Sequence, residues 1–416
     1  MIIEKIRQFY GEKAEGEKSS GWPTGSRLGH CTAALQFKRY PGQSNPEKPK
    51  ARDMIRFDHG HIEEDWLTGL FRKTMEEGHD FGLQQEPFYF AVPLSASDVD
   101  ALLAQLANRQ LWGMKQDNFR PPFVQLRDGR EKPFIRLLQC PNCDRDGRWH
   151  TSKPCGKRLG FIVDPAQSCV WVPVYVDWIM RDVDRLVVVE GKTMSNYGFR
   201  DVLLARVGWE RLAQLVGLME STGMDAKMVV ERKETHHLVE LDFSRRHQQR
   251  KVTIRKLTGQ TEEYFLKGEQ EPNMPADAEW DLAYVDNPFD EALLGAVHQH
   301  VRRVLLFKGN AGPGSKDVHR QYGPSFECET CNGTGLQRTQ KGNQIPLVKG
   351  PKPCKDCNAT GKLDRAELGF PCSYCAVNRT CYPMVSLEID SKPHFYIDRP
   401  AWETSGLTFT PGPYRA

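Results

Sequence analysis

The sequence predicts an α/β protein, with a core of alternating strands and helices extended by loop-rich segments that metal ions hold together. Two observations predict it. Between about residues 170 and 310, runs of β-branched residues alternate with stretches of helical periodicity. Ten of the twelve cysteines lie in close clusters or near them, mostly within loop-rich sequence.

The composition is that of an ordinary folded protein. The chain has 416 residues, 39% hydrophobic and 27% charged, which corresponds to two or three domains at about 100–200 residues each. It contains no apolar run of the ~18 residues that a membrane span needs, and its start lacks the apolar stretch of a secretory signal. We therefore expect a cytoplasmic protein without membrane contact. The net charge of +3 excludes a histone-like polycation, so a nucleic-acid surface would be a local patch.

The first half of the chain has few clear elements. The stretch up to about residue 50 is polar and rich in Gly, Pro and Lys. Helical periodicity predicts a helix over Phe57–Lys73, and Ser97 is the expected N-cap of a second helix that runs to Leu111. The interval 113–169 is irregular and contains the first cysteine cluster.

The second half begins with the clearest strand pair, Val170–Met180 and Arg185–Lys192, joined by a turn over 181–184. A helix is expected from about Phe199 to Ser221, followed by strands near Met228 and from His237 to Leu241. A further helix is expected over 290–307, and the tail from residue 312 is loop-rich. A basic stretch is a possible DNA-backbone contact or simply a solvated strand and loop; its residues are Arg245, Arg246, Arg250, Lys251, Arg255 and Lys256.

Three chargeable residues of the strand pair are expected on one face. If the hairpin loop has an even number of residues, Asp177 lies opposite Val188, and Asp177, Glu190 and Lys192 share a face. Five valines would cover the other face, namely Val172, Val174, Val176, Val187 and Val189. Carboxylates bind hard divalent cations, which assist phosphodiester hydrolysis, and Lys192 could orient or deprotonate the water or stabilise the transition state. A solvated hairpin with an Asp–Lys ion pair is the alternative.

The sequence Asp177…Glu190-Gly191-Lys192 resembles the signature of the PD-(D/E)xK nucleases, and its surroundings resemble their RecB-like branch. That branch has Gly-His on an upstream helix, matched by Gly60-His61. The resemblance implies a restriction-endonuclease-like core, in which helices flank a mixed central sheet. It also implies that magnesium or manganese is held by His61, Asp177, Glu190 and the Gly191 carbonyl, with Lys192 beside the water.

Other positions around the signature both match and depart from the family. The family places a catalytic-site Gln on the helix after the E-x-K strand, matched by Gln214. Glu64, three residues after His61 on the same helical face, is a weaker metal-ligand candidate. Leu218 stands where the family usually has Tyr, and Val174 where it has Gly. A second candidate acid, Asp164 in Gly160-Phe-Ile-Val-Asp164, lacks an adjoining E-x-K strand.

The C-terminal cysteines have the spacing C-x2-C-x5-C, at Cys372, Cys375 and Cys381. Ligation by thiolates alone suits an iron–sulfur cluster or zinc. The tail, with one remote upstream cysteine, resembles the iron–sulfur nucleases of the RecB-like group, including the AddB type and CRISPR-associated exonucleases. The resemblance implies a 4Fe–4S cluster whose fourth ligand is Cys31, so that the cluster joins the two chain ends. Zinc is the rival occupant.

Two further sites are expected to bind zinc. Two near-duplicate C-x-x-C units fit one tetrahedral zinc and resemble half of the DnaJ cysteine-rich region; their ligands are Cys328, Cys331, Cys354 and Cys357. The first cluster contains Cys140, Cys143 and Cys155, and its fourth ligand is His150 or Cys169. These sites would stabilise segments that have little apolar surface of their own.

The expected organisation has five parts: an N-terminal region (1–125) with Cys31 and the helix of His61, a zinc-binding insertion (126–169), a nuclease core (170–310), a zinc-knuckle insertion (311–365) and an iron–sulfur segment (366–416). The resemblance implies a DNA exonuclease acting on single-stranded or frayed ends in recombination, repair or CRISPR spacer processing, with protein partners from those pathways. The alternatives are a catalytically inactive DNA-binding assembly subunit and an RNA-directed nuclease.

Overall fold

The computed structural model describes most of the central chain and parts of both ends. The described residues are 4–5, 8–10, 12, 22–39, 51–74, 81–82, 86–127, 134–137, 160–183, 185–233, 235–256, 258–266, 280–308, 316, 318–320, 323–328, 355–356, 358, 360, 362–366, 372, 381–382, 384–389 and 392–409. Their helices are α1 (Thr32–Arg39), α2 (Ala51–Thr74), α3 (Ala96–Ala107), α4 (Asn196–Leu203), α5 (Trp209–Thr222), α6 (Glu291–Leu305) and α7 (Arg399–Ser405). Their strands are β1 (Phe81–Gly82), β2 (Glu86–Pro93), β3 (Gly113–Lys115), β4 (Val124–Arg127), β5 (Phe134–Leu137), β6 (Phe161–Asp164), β7 (Cys169–Val176), β8 (Trp178–Asp182), β9 (Arg185–Met194), β10 (Asp225–Arg232), β11 (Leu238–Ser244), β12 (Lys251–Lys256), β13 (Thr261–Phe265), β14 (Trp280–Pro288), β15 (Arg365–Ala366), β16 (Met384–Ile389) and β17 (Lys392–Asp398).

The largest sheet is mixed, in the order β1-β8-β9-β10-β11-β14-β12-β13. Strand β9 is parallel to β10 and β11 is parallel to β14, whereas the other neighbours are antiparallel. A parallel pair needs a crossover connection, and α4 and α5 form the crossover between β9 and β10. The predicted α/β class, with helices flanking a mixed sheet, is confirmed at this level.

A smaller sheet has the order β2-β7-β6-β3, and α5 packs against strands of both sheets. Most residues of α5 are buried, because a helix between two sheets has no solvent-facing side. Gly217 lies where α5 approaches the N-terminal segment, since a Cβ there would lie 2.3 Å from Leu28 Cδ1. One hydrophobic core extends from Leu28 to Leu305 and includes residues of the regions 1–125, 126–169 and 170–310.

The predicted first strand of the pair, Val170–Met180, is interrupted at Asp177. Its first part, β7, pairs with β2 and β6 in the smaller sheet, whereas its second part, β8, pairs with β9 in the larger sheet. A strand that turns a corner between two packed sheets bends at the corner, and Asp177 is the residue that bends. A single continuous hairpin was therefore the wrong expectation.

The even-numbered loop of the β8–β9 hairpin is confirmed. Asp182 pairs with Arg185, which leaves a two-residue loop whose first residue, Val183, has a φ of 57°. Trp178 pairs with Val189, so the same register puts Asp177 opposite Glu190 and not opposite Val188. The two positions lie on the same side of the strand, so the shared face of Asp177 and Glu190 is retained.

The five valines do not form one apolar face. Val187 and Val189 pack with Leu67 and Trp178 beneath α2. The three valines of β7 belong to the main core instead; they are Val172, Val174 and Val176. The strand break at the sheet corner explains the division, because it separates β7 from β8.

Several element boundaries differ from the predicted ones. Helix α2 begins at Ala51, and α3 is capped by Ser95, whose hydroxyl accepts from Asp98 N while the Asp98 carboxylate accepts from Ser95 N. Ser97 is therefore not the cap, and α3 ends before Leu111. The helix expected over 199–221 is two helices, α4 and α5, and Gly208 is the N-cap of the second.

The ends of the chain contain more regular structure than expected. The N-terminal stretch forms α1, and the tail contains the β16–β17 hairpin followed by α7. Helix α1 packs on α6, where Thr32 Oγ1 lies 3.0 Å from Nδ1 of His300 and Gln36 Nε2 donates to the Arg303 carbonyl at 3.2 Å. Among the described residues, every helix is too short or too polar to span a bilayer.

Candidate carboxylate site and cysteine cluster

Asp177 and Glu190 form the centre of the candidate site, where β9 passes the bend between β7 and β8. Glu190 lies in the middle of β9 and is 2% exposed. Asp177 is partly exposed, and its Oδ2 accepts a hydrogen bond from Gly191 N at 3.2 Å. The strand register and this bond hold the two acidic residues across from each other.

The two carboxylate oxygens of Glu190 have different surroundings. Oε1 accepts a hydrogen bond from the Lys192 ammonium group and another, at 2.5 Å, from Gln214 Nε2 on α5. Oε2 is buried and accepts no hydrogen bond from an N–H group of the described residues, although the Asp177 and Glu190 carboxyl groups share a hydrogen bond. The site thus holds Glu190 through Oε1 and leaves Oε2 without a nitrogen donor.

The site carries more negative than positive charge. Burial, the Glu190 charge and the Glu64 charge raise the pKa of Asp177 well above its usual value, against the opposing effect of Lys192. Burial by itself lowers the pKa of Lys192, but the charges of Glu190 and Asp177 outweigh it and raise that pKa. Lys192 is therefore an ammonium group at neutral pH, and one ammonium faces three acidic side chains. Such an excess suits a divalent cation.

Gly191 lets α2 and Trp178 pack closely against β9. A Cβ at Gly191 would lie 2.7 Å from Cη2 of Trp178 and 3.3 Å from Leu67 Cδ1. The indole NH of Trp178 donates to Thr68 Oγ1 at 3.1 Å, and its ring meets Phe71 edge-on at 5.2 Å. These contacts fix α2 at Thr68, one helical turn after Glu64, and so place the Glu64 carboxylate near Asp177.

His61 lies at the outer side of the site. Its Nδ1 is 3.7 Å from Glu64 Oε2, and its side chain is 58% exposed. Glu64, the weaker of the two predicted candidates on this helix, thus lies between His61 and Asp177 and interacts with both. Sequence reasoning missed Trp178 and Thr68, which position α2; no motif marks them, since their role depends on contacts between distant segments.

Asp164 shows what a structural aspartate looks like in the same fold. It is fully buried and accepts four hydrogen bonds, from Asn118 N, Phe119 N, Gln167 N and Gln167 Nε2, at 2.7 to 3.1 Å. Burial tends to raise its pKa, but the bonds from Phe119, Asn118 and Gln167 lower it. Both of its oxygens are satisfied, so Asp164 stabilises a turn and has no oxygen open to a metal.

Three of the four cysteines expected to hold an iron–sulfur cluster lie together. Cys372 and Cys381 belong to one apolar cluster, and half-buried Cys31 packs against it, so the two chain ends meet there. Tyr382, which is 2% exposed, hydrogen-bonds to Cys372. Burial raises the pKa of the Tyr382 hydroxyl, and the charges of Cys381, Cys372 and Cys31 raise it further. The fourth cysteine, Cys375, lies outside the described residues.

The C-x-x-C pair is described only in part. Cys328 is buried, and the residue before it, Glu327, forms a β-bridge with Lys362, while Leu363 N donates to the Phe326 carbonyl at 2.7 Å. These contacts join the chain entering the first unit to the chain leaving the second. The other three expected ligands lie outside the described residues; they are Cys331, Cys354 and Cys357.

The remaining cluster lies almost wholly outside the described residues, including Cys140, Cys143, His150 and Cys155. Cys169 is described and buried at the start of β7. Burial and the nearby Asp164 charge raise the pKa of its thiol to about 11.

No protein family, curated protein or solved structure matches the chain. Among the described residues, no group of three or more His, Cys, Asp or Glu side chains is arranged to hold a metal ion. That finding covers His61, Asp177 and Glu190, and likewise Cys31, Cys372 and Cys381, because all six residues are described.

The basic stretch is largely engaged with acidic neighbours. Arg245 pairs with Glu220 and lies 4.5 Å over the Phe289 ring, and Lys251 pairs with Glu263 at 3.1 Å. Paired cations attract a phosphate backbone less than unpaired ones do. The solvated-strand interpretation of this stretch is therefore the better supported one.

Proposed function

We propose that this protein is a metal-dependent nuclease that hydrolyses phosphodiester bonds at the site of Asp177, Glu190 and Lys192. The observation that carries the proposal is the buried Glu190 carboxylate, which faces the Asp177 carboxyl and a charged lysine and whose Oε2 lacks a nitrogen donor. Asp164, by contrast, has both of its oxygens satisfied.

The donor set fits magnesium or manganese. Both ions prefer oxygen ligands, and we assign the carboxylates of Asp177 and Glu190 together with the Gly191 carbonyl, with His61 added by the family resemblance. When bound, such an ion lowers the pKa of a water molecule and offsets charge on the phosphate. Gln214 and Lys192 hold Oε1 of Glu190, which keeps Oε2 directed away from them.

Lys192 acts as a cation in this proposal. Its raised pKa keeps it protonated at neutral pH, so it stabilises negative charge on the phosphate and orients the water rather than removing its proton. The order of the site residues along the chain, and the elements that carry them, also support the RecB-like interpretation. His61 lies on a helix, Asp177 and Glu190 on neighbouring extended segments, and Gln214 on the helix that follows.

The cysteines support an iron–sulfur cluster at Cys31, Cys372, Cys375 and Cys381, because three of these thiols share one cluster around Tyr382. The contact between Glu327 and Lys362 supports a zinc knuckle at Cys328, Cys331, Cys354 and Cys357. Action on single-stranded or frayed DNA ends, in recombination, repair or CRISPR spacer processing, comes from the family resemblance.

A cleavage assay with matched variants tests the activity. End-labelled single-stranded DNA, duplex DNA and RNA are incubated with the parent, Glu190→Gln and Lys192→Met, with Mg²⁺ or Mn²⁺ or with EDTA. Glu231→Gln is the control, because Glu231 is a buried glutamate on the neighbouring strand, 4% exposed and paired with His236. We expect cleavage by the parent and the control, and a loss of at least about a hundredfold in both site variants.

The result also separates the alternatives. A parent that cuts no nucleic acid with either ion would support the inactive assembly subunit, and cleavage restricted to RNA would replace the DNA assignment. Equal cleavage by Glu190→Gln and the parent would show that the site is assigned to the wrong residues.

A further inference from the structure

Arg211 is a half-buried cation beside the carboxylate site. It lies in the first turn of α5, three residues before Gln214, and residues three apart lie on one face of a helix with Cβ atoms about 5–6 Å apart. Gln214 donates to Oε1 of Glu190, so Arg211 lies on the same side of α5, one helical turn from that bond. Burial and the Arg211 charge both lower the pKa of Lys192, although Glu190 and Asp177 raise it more. The two cations are therefore close to each other.

The guanidinium group of Arg211 is not engaged by an acidic neighbour. Within the part of the chain that the structure describes, its side chain forms no ion pair and no hydrogen bond. Arg245, at the other end of α5, differs in this respect, because it pairs with Glu220 of that helix. A guanidinium group presents five N–H donors in a planar fork that matches a phosphate group. Arg211 thus offers this fork next to the site.

The first turn of α5 is held against the N-terminal segment. A Cβ at Gly29 would lie 2.2 Å from Cα of Glu210, the residue before Arg211, so glycine is needed for this close approach. Burial lowers the pKa of His30 to about 4, together with the charges of three cations in this part of the fold, namely Lys38, Arg27 and Arg211. The backbone that carries Arg211 is therefore fixed, and further positive charge lies near it.

An acidic site that acts on nucleic acid needs such a cation beside it. The three carboxyl groups repel a phosphate backbone, and the ammonium group of Lys192 is already bonded to Glu190. Nucleic acid carries one negative charge at each nucleotide, and its binding depends on contacts to several phosphates. A cation displaced by one helical turn from the centre is placed for a neighbouring phosphate of the same strand.

We infer that Arg211 binds the phosphate group next to the one that is cut and so fixes the strand over the carboxylate site. The inference rests on the proposed nuclease function and deepens it, because it assigns a substrate contact to a residue outside every predicted motif. The neighbouring phosphate keeps its charge throughout the reaction. The contact therefore strengthens binding of the substrate and of the transition state equally.

Binding and its salt dependence are measured with the full-length protein and fluorescein-labelled single-stranded DNA or RNA, without added divalent ions. Arg245→Met is the matched control, since it removes the same charge at the other end of α5. We expect Arg211→Met to bind about tenfold more weakly. The slope of log affinity against log KCl concentration should become less steep by about 0.7, the value for one phosphate contact on a single strand. Arg211→Lys should keep the parent's slope, and Arg245→Met should keep both the slope and the affinity.

A scan with neutral linkages identifies the phosphate. Oligonucleotides are prepared with one methylphosphonate in place of a phosphate, at each position in turn. We expect one position at which neutralisation weakens binding by the parent and by Arg245→Met about tenfold but changes binding by Arg211→Met very little, because contacting groups are not additive. If every position affects Arg211→Met as much as the parent, the inference is overturned.

Cleavage kinetics with Mg²⁺ distinguish the neighbouring phosphate from the reacting one. We expect Arg211→Met to raise KM about tenfold with little change in kcat, which is the effect of removing uniform binding. A fall in kcat at unchanged KM would instead assign Arg211 to the reacting phosphate and overturn the inference. A parent that binds neither DNA nor RNA would end the proposed function and this inference together. Parent-like binding, salt slope and KM in Arg211→Met would overturn the inference alone.

Discussion

Replacing Asp177 or Asp164 by Asn should change stability in opposite directions in the absence of metal. Asp164 uses both carboxylate oxygens, each accepting two hydrogen bonds. Asn retains one oxygen and turns an NH₂ group toward two donors. The loss of two charge-assisted hydrogen bonds at about 1.5–3 kcal/mol each predicts a destabilisation of about 4 kcal/mol for Asp164→Asn.

For Asp177 the balance is reversed, because its charge faces that of Glu190. Residues directly opposite in an antiparallel pair have Cβ atoms about 5 Å apart, and at an effective dielectric constant of about 20 the repulsion is about 3 kcal/mol. Losing the attraction to Lys192 cancels part of this gain, and an Asn oxygen can still accept from Gly191 N. We expect Asp177→Asn to be more stable than the parent by about 1 kcal/mol.

Urea unfolding in EDTA, and again with Mg²⁺, measures both effects. Mg²⁺ at about 100 times its dissociation constant should stabilise the parent by about 2.7 kcal/mol, and Asp177→Asn should gain much less. Asp164→Asn should keep the parent's response to Mg²⁺, which makes it the control for a general loss of stability. If Asp177→Asn is destabilised in EDTA as much as Asp164→Asn, then Asp177 is a structural residue and the metal-site reasoning is wrong.

Three further outcomes are expected. Gly191→Ala should cost about 1–3 kcal/mol in urea unfolding, because its Cβ would lie 2.7 Å from the Trp178 ring; an unchanged midpoint would contradict the packing. Burial lowers the pKa of His300 to about 3, below the value of about 6.5 in the unfolded chain, so the unfolded state binds more protons between these values. Stability should therefore fall as the pH drops from about 6.5 toward 3, and His300→Asn should show a shallower fall; parallel curves would refute this. Gln214→Met should lower cleavage by about tenfold or more while leaving the fold intact by circular dichroism, since Gln214 holds Oε1 of Glu190; parent-like cleavage would show that it does not position Glu190.

Part of the candidate site follows from local sequence. An even hairpin loop and the alternation of side chains in a strand are sufficient to put Asp177 and Glu190 on one face, and the structure has that arrangement. The exact partner was wrong, because the sequence gives no sign that the strand turns from one sheet to the other at Asp177. The resulting register pairs it with Glu190, two residues from the expected Val188.

Other features could not be read from local patterns. Glu64 approaches Asp177 because the hydrogen bond between Trp178 and Thr68 fixes α2 across β9. These two residues are more than 100 positions apart in the sequence. The sequence contains the Ser95 cap as Ser-x-x-Asp, and the prediction of Ser97 as the cap is wrong because Asp98 pairs with Ser95. The helical periodicity continues from α4 into α5, so it gives no sign of a break. Gly208 is nevertheless the N-cap of α5 and separates the two helices.

Local sequence shows which chemical groups are available to this protein: paired acids beside a lysine, a glutamine on the following helix, and cysteines at ligand spacing. Residue type and short-range periodicity carry that information, because they depend only on neighbours along the chain. Which of these groups meet depends on the fold, which buries Oε2 of Glu190 and brings Cys31 to the apolar cluster of Cys372. These depend on contacts between segments up to several hundred residues apart, and burial sets the strength of each charge there.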